Sequence, residues 1–140
     1  MKQAVMLSIC GRQSYGGQEP ETIELVTEGV LECVDNGWRI TYEESDLTGL
    51  QGVTTTFHLT SGKIVLDRKG RLNSQMVFQE GVFHDSLYQM EFGALMITVC
   101  ASKISYDISD SGGSVDLVYA IELEQSAAGL IEYHLDIRKK

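Results

Sequence analysis

A chain of 140 residues with 20 acidic against 11 basic side chains carries a formal charge of −9. The length is that of a single domain over residues 1–140, and a hydrophobic fraction of 43% is enough for a core, so wholesale disorder is excluded. The acidity counts against a nucleic-acid binder, which needs a basic surface, and no apolar run approaches the roughly 20 residues of a membrane-spanning helix.

The chain opens on a short apolar stretch, Ala4 to Leu7 plus Ile9, with no small-residue cleavage site after it, so no secretion signal is expected. Cys10, Cys33 and Cys100 are odd in number and far apart, without a CxxC pair. Reduced thiols, buried as small apolar residues in a cytoplasmic protein, are the expectation.

From Glu21 to Val34 the pattern alone fits either a helix or a strand; Thr22, Val26 and Thr27, with Gly29 in the interior, favour a long, bent strand. Asp35-Asn36-Gly37 marks a hairpin. Trp38, Ile40 and Tyr42 then alternate with Arg39, Thr41 and Glu43, and Val53, Thr55, Phe57 and Leu59 with Thr54, Thr56, His58 and Thr60. Period two is the mark of a half-buried strand. Ser61-Gly62, Lys69-Gly70 and Glu80-Gly81 turn the chain between Ile64–Arg68, Leu72–Phe78 and a strand within Val82–Phe92. Ala94 to Ser109 is apolar on both parities at first; Ser111-Gly112-Gly113 turns it into Val115–Leu123. Gln125 to Gly129 reads as a loop before a last strand through Tyr133, Leu135 and Ile137. The two longest loops are expected at 43–52 and 14–20.

Nine or ten strands joined by tight turns predict an all-β fold, an up-and-down antiparallel β-barrel of about 8–10 strands, with a β-sandwich as the alternative. Closure removes the exposed edges of so long a sheet.

The order Tyr42-x-Glu44, Thr54 to Thr56, Arg68-x-Gly70, Tyr88 before Gly93, Thr98 and Tyr119 resembles the bacterial YwiB-like domain family over nearly the whole chain. Met90 and Phe92 depart from that pattern. The resemblance implies a calycin-like (lipocalin-like) barrel from small, soluble bacterial proteins, and it brings no established activity.

In a small barrel alternate residues point inward. Glu44 continues the inward set Trp38-Ile40-Tyr42, and Arg68 continues Ile64-Leu66. Tyr88, Thr98 and Tyr119 are placed on the inward side too. An ionised group inside a barrel is costly unless paired, so Glu44 and Arg68 either meet each other, sit at a wet mouth, or meet a ligand. The functional reading is a pocket of Tyr42, Glu44, Arg68, Tyr88, Thr98 and Tyr119 for a small anionic or amphipathic molecule. The alternative is a non-catalytic structural or interaction module with a filled barrel, acting through its surface. For it, Leu95, Ile97 and Val99 are read as an outward apolar stripe, and a homodimer as the simplest arrangement.

No catalytic motif is present, and an enzyme is not favoured. His58 and His134 read as surface residues, and no histidine falls in a metal-ligand spacing. Tyr15-Gly16-Gly17 and Gly112-Gly113 read as turns, with no helix after them to hold a phosphate. No metal and no cofactor are expected. Lys63, Arg68, Lys69 and Arg71 form a basic hairpin that reads as a solvated turn.

Overall fold

Alternating apolar side chains can all reach one interior only if the strands wrap around it, and a computed structural model shows such a wrapped sheet. The structure describes residues 2–15, 19–44, 51–90, 93–123 and 126–140. They hold ten strands and no helix: β1 (Lys2–Tyr15), β2 (Glu21–Val34), β3 (Gly37–Glu43), β4 (Val53–Thr60), β5 (Lys63–Gly70), β6 (Ser74–Phe78), β7 (Phe83–Met90), β8 (Gly93–Ser109), β9 (Gly112–Leu123) and β10 (Ser126–Lys139). The sheet order is β6-β5-β4-β3-β2-β1-β10-β9-β8-β7, every named pair antiparallel. β6 meets β7 through isolated bridges, Asn73 with Gln89 and Gln79 with Val82. The ring is therefore nearly closed, an up-and-down barrel with a thin seam between β6 and β7.

Parity decides what fills the ring. Phe57, Leu59, Ile64, Leu66 and Phe78 are at most 2% exposed and plug one end. Burying each such side chain stabilises the fold by roughly 1.5–3 kcal/mol. Gly29 lets the neighbouring strands pack closely on β2: a Cβ there would lie 2.6 Å from Leu7 Cδ1 and 2.9 Å from the Thr41 carbonyl oxygen. At the Asp35–Asn36 turn, Asn36 takes the left-handed conformation, φ 69°. Gly37 is required for a different reason: its Cβ would meet the Leu59 carbonyl oxygen at 1.7 Å.

Three sequence expectations are corrected. Ser126 to Gly129 is strand and not loop, because β10 pairs with β9 from Ser126 onward and a bulge between Ala127 and Gly129 absorbs the irregularity. Cys33 is exposed and Cys10 and Cys100 are half-buried, where burial was expected. Cys33 lies at the very end of β2, and Cys10 and Cys100 alternate with the buried Ile9, Val99 and Ala101 and so face outward. Leu95, Ile97 and Val99 face inward, not outward: Ile97 and Val99 are buried and Leu95 is half-buried. Of the loops expected at 43–52 and 14–20, residues 45–50 and 16–18 lie outside the described residues, and Ser14 and Tyr15 belong to β1.

Candidate functional site

Strand register assembles a polar row across the inner wall. Tyr42 pairs with Thr55, Thr55 with Arg68, and Arg68 with Ser74, on β3, β4, β5 and β6 in turn. All four side chains face inward among buried apolar neighbours. Glu44 follows β3 on the same parity, tied to β4 by its backbone N–H donating to the Val53 carbonyl at 2.9 Å.

Glu44 is held from two sides. Thr55 Oγ1 donates to Glu44 Oε2 at 2.5 Å. Arg68 Nε lies 4.0 Å from the same oxygen, with 13% of the Arg68 side chain and 2% of the Glu44 side chain exposed. That separation is an ion pair but too long for a hydrogen bond. Among the described residues Arg68 Nε has no hydrogen-bond partner, and neither has Ser74 Oγ.

Tyrosines complete the polar wall. Tyr42 donates its hydroxyl hydrogen to Tyr133, which also accepts from Arg68. Their rings are fixed by the plug: Tyr42 stacks on Phe57 at 6.4 Å between centroids, Tyr133 meets Phe57 edge-on at 5.8 Å, and Tyr119 packs on Phe78 at 4.5 Å. Burial, then the neighbouring Tyr133 and Glu44, push Tyr42 above the usual phenol range. Burial likewise raises Tyr133, against the opposing pull of Arg68. For Arg68, burial works to lower the pKa, but the oxygens of Tyr133, Tyr88, Tyr119 and Glu44 outweigh it and the pKa rises. At neutral pH the site thus holds a fixed guanidinium beside the neutral phenols of Tyr42 and Tyr133.

Above this row the barrel is hollow. A cavity of about 340 Å³ is lined by Tyr42, Glu44, Arg68, Tyr88, Tyr119 and Tyr133 on its polar side. Its apolar side is built by Ile9, Ile23, Leu25, Leu95, Ile97, Ile121 and Ile131. Ile23 is 40% exposed, so the cavity opens to solvent past it. The cavity is concave and largely apolar, with a few converging polar groups.

Five of the six residues singled out from sequence, Tyr42, Glu44, Arg68, Tyr88 and Tyr119, line this cavity. Thr98 does not. It alternates with the buried Ile97 and Val99, faces outward, and donates to Asp85 Oδ1 at 2.6 Å on the neighbouring strand. Thr55 and Tyr133 were missed. Tyr133 shares the inward parity of Leu135 and Ile137, which was the available signal.

Arg68 offers a charged donor, Glu44 an acceptor and the phenols both, all beside an apolar wall. Such a set can orient an amphipathic molecule. Among the described residues no three His, Cys, Asp or Glu side chains are placed to hold a metal ion. No helix among them is long and apolar enough to cross a membrane.

No curated protein matches the chain. Among solved structures it is similar to the ywiB protein of Bacillus subtilis, at 19% identity, with a TM-score of 0.89 over 99% of this chain and 93% of that one. That likeness shows a shared fold. The profile of the family described as a domain of unknown function, DUF1934, matches residues 7–137, and the chain belongs to that family, in agreement with its YwiB-like sequence features.

Proposed function

We propose that the barrel binds a small anionic or amphipathic molecule, its polar end at Arg68 and Glu44 and its apolar body against Ile23, Leu25, Ile97 and Ile121. The observation that carries this reading is the amphipathic cavity, which sets the Arg68 guanidinium and the tyrosines opposite an apolar wall. A filled barrel would have left no such volume. The calycin-like reading of the barrel belongs with this proposal, as does a cytoplasmic location, which the three free cysteines support.

Native mass spectrometry of protein purified from its own host tests it. The expected result is a retained small molecule that is lost in Arg68→Ala. A bare protein mass from several growth conditions, together with no uptake of an apolar fluorescent probe, overturns the reading.

A second reading, an interaction module, has its own observation. On the outer face of β7 and β8, Phe83 is 69% exposed, and the cross-strand pair Leu87 and Met96 is exposed on the other side of the polar Asp85–Thr98 pair. Such a strip favours a protein contact, with a homodimer as the simplest case. The same native spectra read it out: a dimer mass abolished by Phe83→Ser supports this second reading.

A further inference from the structure

The charge arrangement of the polar wall narrows the head group that the cavity suits. Arg68 and Glu44 both line it, and their formal charges cancel. An added carboxylate or phosphate would leave an excess negative charge between low-dielectric walls, and an added ammonium an excess positive one; both are costly. An uncharged head group leaves the balance intact.

Both signs must also be answered. Arg68 lines the cavity with a donor-only guanidinium, so it matches an acceptor on the ligand. An ionised carboxylate has about four lone-pair sites and is acceptor-only, so Glu44 matches a donor on the ligand whatever else it already binds. The two groups stand 4.0 Å apart, Nε to Oε2. In an amide the oxygen and nitrogen are roughly 2.3 Å apart, from ordinary C=O and C–N bond lengths. An amide therefore carries its acceptor and its donor close enough together to face both groups at once, C=O toward the guanidinium and N–H toward the carboxylate.

We infer that the cavity takes a molecule with an uncharged, amide-type head group, a carboxamide or lactam, seated across Arg68 and Glu44 with its apolar body in the throat. This assignment rests on the cavity being a ligand site, and it goes further by choosing the neutral head over the anionic one.

Three probes that share one apolar body separate the two questions: 2-naphthamide, 2-naphthoate and 2-naphthylmethylammonium. Isothermal titration of the full chain at pH 7.5 and moderate salt should rank the amide at least tenfold tighter than either charged probe. Glu44→Gln, nearly the same shape, leaves Arg68 uncompensated and should reverse the order of amide and naphthoate. The wild-type ranking stands by itself if that variant folds poorly by circular dichroism. Ile23→Trp, placed at the open end of the throat, should weaken all three alike. If naphthoate or the ammonium equals or beats the amide while Ile23→Trp still weakens binding, the head-group assignment falls and the cavity reading survives. An amide preference that a folded Glu44→Gln leaves unchanged also overturns the assignment. If none of the three binds, both fall.

Discussion

His134 stands on the outer face of β10 between two carboxylates, with Asp116 Oδ1 2.6 Å from Nδ1 and Asp136 Oδ2 3.1 Å from Nε2. The hydrogen bond to Asp116 raises its pKa above the ordinary value, with partial burial opposing and both aspartate charges assisting. A group whose pKa rises on folding stabilises the fold while it is protonated. Its contribution is complete below the unfolded value of about 6.5 and fades as pH climbs through the raised folded value. His58 moves the other way, lowered first by burial and then by Arg39, so a single variant is needed to isolate His134. The stability gap between wild type and His134→Gln, read from urea midpoints, should be larger at pH 5.5 than at pH 8.5; an equal gap at both would remove the carboxylate clamp as a source of stability. At this scale sequence is most informative where it breaks its own pattern. Glu44 and Arg68 stood out because each continues an apolar parity with a charge. Thr55 passed unnoticed among three consecutive threonines, and Tyr133 because a tyrosine at an inward position looks like ordinary core. Their pairing with Glu44, Tyr42 and Arg68 depends on register between strands, which no single segment contains.

Strand β8 shows how an element can conceal its own phase. Its register shifts between Ala101 and Lys103 opposite β9. Beyond the shift the inward residues are Ile104, Tyr106 and Ile108; before it they are Leu95, Ile97, Val99 and Ala101. Counting back in twos from Ile108 puts Thr98 inside and Leu95 outside, the reverse of what the structure shows. A bulge inserts one residue and flips every side chain before it, and an apolar run on both parities gives no warning. β2 was more transparent. Gly29 within an otherwise bulky strand signalled a bend, and the structure adds a close approach there by Leu7 and the Thr41 backbone. The leucine tip can shift but the carbonyl cannot, so Gly29→Ala should destabilise the protein by about 1–3 kcal/mol, an overpacking cost measurable by chemical denaturation. A change under a few tenths of a kcal/mol would show that β2 bends freely there.

Across the molecule, nine or ten expected strands joined mainly by tight turns foretold a ring, and the fold is a nearly closed one. That one end is plugged and the other hollow was not legible. It follows from side-chain volume summed around the ring: Phe57 and Phe78 fill the plugged end, while Gly11 and slim isoleucines leave the other open. The pairing of β1 with β10, Val5 opposite Lys139 and Tyr15 opposite Gly129, carries a kinetic corollary. Every other named neighbour in the sheet can zip as a hairpin, but this joint brings together segments more than a hundred positions apart. Search entropy must be spent before that contact repays anything, which places refolding in the millisecond-to-second range rather than microseconds. Trp38, the single tryptophan, packs against the plugged end and reports its assembly in stopped-flow fluorescence. Weakening the joint with Leu135→Ala should slow that signal if the joint forms before the rate-limiting barrier, and should instead speed unfolding if it is the last latch to close.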